Sequence, residues 1–313
     1  MNASDQSSEI DFRGNLIIHI GMHKTGSTSI QHVLDTNHEH LRDQNVLYPK
    51  AGRCVDNGRL MPMHHPLVWS LMGQGDRPIS AHIESLRKEI EYAAPSKVIL
   101  SSEHLSGFSL SSQVFRDIKR MFPNAKRTWI IYLRRQDHLA LSRYAENVKT
   151  GKIAWPDGLW RELLAPSLNF RIVLERLHYA VGDDAIIPVS FDARKADLIT
   201  SFCEACGINT PDGSLNRTRE NTALAWATLR TLRMVNAIPG SPGRFARRVV
   251  FSLNRLISGT RFRWVLDWPE PLSPKEKADL LKKHEDTNRW VETTYWNDQK
   301  FLTDTDAYTF RSD

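Results

Sequence analysis

The stretch IHIGMHKTGSTSIQ (residues 18–31) runs an apolar segment into a glycine, then a lysine, then a series of hydroxyls. A β-branched apolar run ending in glycine predicts a buried strand, and the residues after it predict a tight loop and the first turn of a helix beginning near Ser27 or Thr28. Backbone N–H groups at such a turn, with the helix dipole behind them, bind an anion without any side chain. Gly21 and Gly26 permit the tight path, while Thr25, Ser27 and Thr28 offer hydroxyl donors to phosphate oxygens. Lys24 is a compact charge for the outer end of the ligand. The ATP-binding loop G-x-x-x-x-G-K-[ST] sets its lysine directly after the second glycine. Here Lys24 comes three residues after Gly21 and two before Gly26, so the loop suits a phosphate with a spacing foreign to ATPases.

Working outward, KVILSS (97–102), TWIIYL (128–133) and AIIPVS (185–190) are further buried-strand candidates. Helical patterns precede them: ISAHIESLRKEIEYA, SSQVFRDIKRMF and NFRIVLERLHYAV. Strands alternating with helices predict an α/β, P-loop-type three-layer fold, a central parallel sheet flanked by helices. In such a fold the chemistry gathers at the carboxyl ends of the strands. The glycine–lysine loop follows the first strand, Glu103 the second, and Arg134 and Arg135 the third.

The 313 residues, with 41% hydrophobic and 25% charged side chains, are those of an ordinary globular chain, read as one domain over 15–313 after a polar tail at 1–14. That tail lacks the apolar core of a signal peptide, which predicts a cytoplasmic protein. A net charge of +6 favours an anionic ligand or surface without saying which. Cys203 and Cys206 have CxxC spacing inside DLITSFCEACGI, an amphipathic pattern with no second Cys or His pair nearby, which favours helix packing over a metal or redox site.

From Arg217 to Arg263 there are ten arginines and one acid, Glu220. Within a basic helical segment at about 240–268, GRFARRVVFSLNRLI sets Arg244, Arg247, Arg248 and Arg255 beside Phe245, Val249, Leu253 and Leu256. It reads either as a solvated basic helix or as a contact, over 244–263, with an acidic glycan or the anionic inner face of a membrane.

The loop GMHKTGSTSIQ resembles the 5′-phosphosulfate loop of sulfotransferases that use 3′-phosphoadenosine 5′-phosphosulfate (PAPS), with His23 in place of the common proline. YLRRQDHLALSRY (132–144) is similar to that family's 3′-phosphate motif, a strand followed by arginine and, eight residues on, serine. Arg134 and Ser142 have this spacing; Arg135 is the register alternative, and Gln136 replaces the usual proline. NVLYPKAG, the histidines 64–65, VILSSEHLSG and DTNRWV are similar to segments of bacterial members thought to act on carbohydrates.

The resemblance implies transfer of the sulfuryl group of PAPS to an acceptor hydroxyl, with adenosine 3′,5′-bisphosphate as the leaving group and no metal required. The acceptor it implies is a carbohydrate, lipid-linked or part of a surface polysaccharide precursor. Lys24 would stabilise the bridging oxygen, and Glu103 occupies the family's position for the catalytic base, with His64 and His65 as rivals. Two other readings compete. A P-loop kinase using ATP would want the Walker spacing and an acidic Mg²⁺ ligand, and a nucleic-acid-binding protein would want a recognised motif, which the sequence lacks.

Overall fold

A computed structural model describes residues 9–56, 58–107, 112–154, 158–211, 224–258 and 269–303. In chain order the elements are β1 (Asn15–His19), α1 (Ser27–Thr36), α2 (His38–Asp43), β2 (Val46–Leu47), β3 (Val55–Asp56), β4 (Arg59–Leu60), α3 (His65–Leu71) and α4 (Ile79–Ala93). There follow β5 (Lys97–Ser101), a 3₁₀ turn (Glu103–Ser106), α5 (Ser112–Met121), β6 (Lys126–Leu133), α6 (Gln136–Lys149), α7 (Gly158–Leu163), α8 (Phe170–Val181) and β7 (Ala185–Ser190). The remainder is helical: α9 (Phe191–Arg194), α10 (Leu198–Cys206), α11 (Trp226–Asn236), α12 (Gly240–Ser258), α13 (Pro274–Lys283) and α14 (Glu285–Tyr295).

By its internal contacts the chain forms two compact units. The first comprises Met1–Arg134, Asn169–Thr218 and Val291–Phe301, and the second Arg135–Leu168, Arg219–Trp290 and Leu302–Asp313.

The first unit is built on a five-stranded sheet in the order β2-β5-β1-β6-β7, every pairing parallel, as the buried apolar runs predict. Alternation along the strands divides the core. Ile17, Ile99, Ile130 and Tyr132 pack with Ile30 and Leu34 of α1 and with Phe202 and Cys206 of α10 in one buried cluster. One residue out of step, Trp129 is fully buried and meets Phe115 of α5 edge-on, with ring centroids 5.6 Å apart. Burying each such side chain contributes about 1.5–3 kcal/mol. Because β5, β1 and β6 lie side by side and run the same way, their carboxyl ends bring the loop at 20–26, Glu103 and Arg134 to one rim of the sheet.

Helices α13 and α14 are separated by His284 alone. The first, α13, begins with a full capping box, the Ser273 side chain and Glu276 each satisfying the other's backbone. No helix among the described residues is long and apolar enough to cross a membrane.

Candidate functional site

The loop after β1 is wound tightly. Gly21 (φ 45°), Lys24 (φ 69°) and Gly26 (φ 78°) all lie in the left-handed region, separated by residues of ordinary φ. Such alternation lets successive backbone N–H groups converge on an anion. A lysine held there costs on the order of 1 kcal/mol, so its surroundings must define it. Arg134 is one of them, donating from Nη1 to the Lys24 carbonyl at 2.8 Å. At Gly26 a side chain is barred twice over, by the left-handed φ and by Leu198, whose Cδ2 would stand 2.3 Å from an added Cβ.

Helix α1 opens at Gly26 without any side-chain cap. Its first residue, Ser27, is buried, and the Ser27 Oγ has no hydrogen-bond partner among the described residues. A buried orphan hydroxyl at an uncapped helix N-terminus fits an oxyanion. Thr28 is exposed beside it, and Lys24 is half-buried. Thr25 differs from the sequence expectation for its hydroxyl: it is fully buried and its Oγ1 donates to the Met22 carbonyl at 2.6 Å. The single hydroxyl proton closes the loop, which leaves the Thr25 backbone as its contribution to an anion.

Glu103 opens the 3₁₀ turn past β5, its side chain 13% exposed. Gln31 of α1 donates from Nε2 to Glu103 Oε2 at 2.9 Å and to Ser101 Oγ at 3.1 Å. His19 Nδ1 lies 2.8 Å from the same Ser101 hydroxyl. His65 Nε2 stands 3.3 Å from Glu103 Oε2, and its Nδ1 is 2.8 Å from Ser102 Oγ. Among the described residues the second carboxylate oxygen, Oε1, takes no hydrogen bond. Beside the carboxylate, the rings of His65 and Trp69 flank His104, with centroids 4.4 and 5.2 Å from it.

The two rival bases are held differently. His64 is buried, with Nε2 3.0 Å from the Pro49 carbonyl and Nδ1 accepting from the Ser101 N–H at 3.2 Å. These partners place its proton on Nε2. Burial pushes it down to about 3, with the Arg53 charge adding to the effect. Burial likewise pushes His65 down to about 4, against the opposing pull of Glu103. Both rings are therefore neutral at physiological pH and weakly basic, where a general base works best with a pKa near the operating pH.

The two adjacent arginines part company. Arg134, at the end of β6, reaches the loop and sets its guanidinium over the Phe191 ring at 5.2 Å. Arg135 belongs to the second unit, where it is buried and grips Asp137 through two bonds, Nε to Oδ1 at 2.8 Å and Nη2 to Oδ2 at 2.9 Å. Desolvation opposes ionisation of Asp137, but the bonds from Arg135 and the nearby His138 outweigh it and hold the carboxyl below its ordinary value. Ser142 lies on α6 of that unit, half-buried. Gln136 and Asn288, both buried, exchange amide hydrogen bonds at 2.6 and 3.1 Å, so the QDH and DTNRWV segments meet inside the second unit.

Cys203 and Cys206 are buried free thiols on α10, Cys206 packed in the cluster with the sheet residues. Burial pushes Cys203 up to about 11 and Cys206 well above its usual range, which suits inert packing rather than a reactive pair. Of the basic segment, residues 259–268 lie outside the described residues; Arg217 and Glu220 do as well.

Gln31, Ser101, Ser102 and His19 escape a motif-based reading. The available signal is pattern-breaking: a glutamine inside the apolar stripe Ile30, Val33, Leu34, four residues after Ser27 on the same helix face. His19 similarly interrupts the apolar run of β1.

No family model matches the chain. Glycerol kinase of Saccharopolyspora erythraea is 35% identical over 112 residues, which is 33% of this chain and 21% of that protein, so the chain spans about a fifth of that relative's length. Among solved structures, a sulfotransferase from Alicyclobacillus acidocaldarius superposes with a TM-score of 0.40 at 15% identity, covering 74% of this chain and 99% of that one. Neither match is deep enough to assign the chain to a family.

Proposed function

We propose that this protein is a sulfotransferase, moving the sulfuryl group of PAPS to an acceptor hydroxyl. The observation that carries the reading is the uncapped start of α1, where the buried, unpartnered Ser27 hydroxyl sits after a left-handed Lys24. The loop backbone, Lys24, Ser27 and Thr28 hold the 5′-phosphosulfate end. Arg134 serves the 3′-phosphate as a forked donor, with Ser142 joined to it on motif spacing alone. As the acceptor oxygen forms its bond to sulfur, the bridging sulfur–oxygen bond breaks and adenosine 3′,5′-bisphosphate leaves. The acceptor proton passes to Glu103 Oε1, and Lys24 neutralises charge on the departing phosphate. A carbohydrate acceptor is favoured by the rings of His65, Trp69 and His104 beside the carboxylate, since the C–H face of a sugar packs on such surfaces.

Adenosine 3′,5′-bisphosphate without Mg²⁺ should raise the melting temperature, because a ligand that binds the folded state stabilises it. ATP with Mg²⁺ should raise it much less. If ATP with Mg²⁺ protects equally or better, phosphoryl transfer replaces the sulfotransferase reading.

A further inference from the structure

Helix α12 has two faces with different fates. Its inner face is committed to the second unit: Asn254 accepts from Thr228 Oγ1 of α11 at 2.6 Å, and Arg247 bonds to Asn236 and to the Lys149 carbonyl. The outer face carries Phe245, Val249, Leu253 and Leu256, which are 69%, 40%, 50% and 68% exposed. Their spacing of four, four and three residues puts them in one stripe along the helix. Arg244 and Arg248, both exposed, form a second stripe beside it. From Leu224 to Ser258 the sequence has six arginines and no Asp or Glu.

We infer that the outer face of α12 is a docking surface for an anionic lipid bilayer, on which the helix lies parallel to the membrane plane. An apolar stripe left in water is unfavourable, and four large side chains in line exceed the scattered exposure normal for a surface. A bilayer interface accepts both halves at once, the apolar stripe entering the acyl boundary while the arginines meet lipid phosphates. A second copy of the chain does not: pairing these faces sets arginine against arginine in a segment with no acid to relieve them. A soluble acidic polymer answers the arginines and leaves the apolar stripe in water. Charge and apolar surface together therefore select the membrane. This surface is independent of the sulfuryl-transfer reading and stands or falls separately.

The test is co-sedimentation of the full chain with vesicles of phosphatidylcholine alone and of phosphatidylcholine mixed with phosphatidylglycerol. The protein should pellet with the mixed vesicles, at least tenfold more tightly than with neutral ones, and added salt should weaken it. Arg244→Gln with Arg248→Gln should weaken it by about fivefold for each arginine. Phe245→Glu with Leu256→Glu should abolish it; both sites are exposed, and an unchanged melting temperature checks the fold. Absence of binding to mixed vesicles overturns the inference. So does binding that survives the Phe245→Glu, Leu256→Glu pair, or a dimer in solution that this pair dissociates.

Discussion

Gln31 of α1 donates its side-chain amide to Glu103 at 2.9 Å, joining the helix that begins at the anion loop to the carboxylate after β5. The same amide holds Ser101, which in turn meets His19 of β1. Anion loop and carboxylate are thus joined by a buried polar chain as well as by the direct packing of Gly21 against Glu103, whose Cγ would stand 3.2 Å from a Cβ added at Gly21. On the sulfotransferase reading, Gln31 positions the base without touching either substrate. Replacing it should misplace the carboxylate and leave donor binding alone.

Gln31→Met should therefore lower kcat by roughly ten- to a hundredfold, the scale of a small misplacement at a reacting centre. Affinity for adenosine 3′,5′-bisphosphate should stay near wild type. Gln31→Glu supplies a sharper readout, because two carboxylates sharing a site resist joint ionisation. The acidic limb of the kcat/KM profile should move to higher pH in both variants, since each loses the amide's hydrogen bond to the carboxylate, and further in Gln31→Glu. An unchanged kcat and an unmoved acidic limb in Gln31→Met would mean that Gln31 does not position the base.

Glu103→Gln separates the carboxylate from the histidines. It should reduce kcat by roughly 10²–10⁴-fold, the usual reach of general-base catalysis. His65→Ala should cost less, since that ring is neutral and engaged at both nitrogens by Ser102 and Glu103. Steady-state kinetics over a range of pH decides it. If Glu103→Gln is nearly active and His65→Ala is dead, the base is His65.

The paired arginines should diverge as their environments do. Arg134→Ala should weaken adenosine 3′,5′-bisphosphate by roughly 2–5 kcal/mol, the range for removing one partner of a buried charge pair. Adenosine 5′-phosphosulfate, with no 3′-phosphate, should lose little. Arg135→Ala takes both guanidinium hydrogen bonds from the buried Asp137, leaving it the nearby His138, and should destabilise the fold by roughly 3–5 kcal/mol. Calorimetric titration and thermal unfolding measure the two. A nucleotide effect confined to Arg135→Ala would reverse the register.

How much of this the sequence disclosed follows from where each signal resides. The strands β1, β5, β6 and β7 stand out as apolar runs because both faces of a parallel sheet are covered, so burial is written into consecutive residues. The edge strand β2 is two residues long and leaves no such run. The loop glycines are legible since their conformation excludes most side chains. Lys24 shares that conformation unannounced, because tertiary contacts rather than residue type hold it there. The division of labour between Arg134 and Arg135 was illegible for the same reason: adjacent identical residues differ only in what the fold brings to them. Which side of α12 faces outward also depends on the packing of Asn254 and Arg247, which no periodicity specifies.

Buried neutral histidines make the stability of the fold depend on acid. His19 and His64 are fully enclosed, and desolvation is the largest cause pushing them down, to about 4 and about 3. In the unfolded chain each takes up a proton below about pH 6.5. Between about pH 6 and 4.5 the unfolded state therefore binds more protons than the folded one, and unfolding free energy falls as pH falls. Two such groups give a slope approaching two protons, about 2.7 kcal/mol per pH unit at its steepest. Urea unfolding at a series of pH values measures the slope directly. His64→Gln keeps a donor for the Pro49 carbonyl and an acceptor for the Ser101 N–H while removing the titrating ring. In that variant the slope should fall by about one proton, so the wild type and the variant draw together as the pH drops. A slope unchanged by His64→Gln would mean that His64 takes up its proton in the folded chain as well, giving up the hydrogen bond that its Nδ1 accepts from the Ser101 N–H.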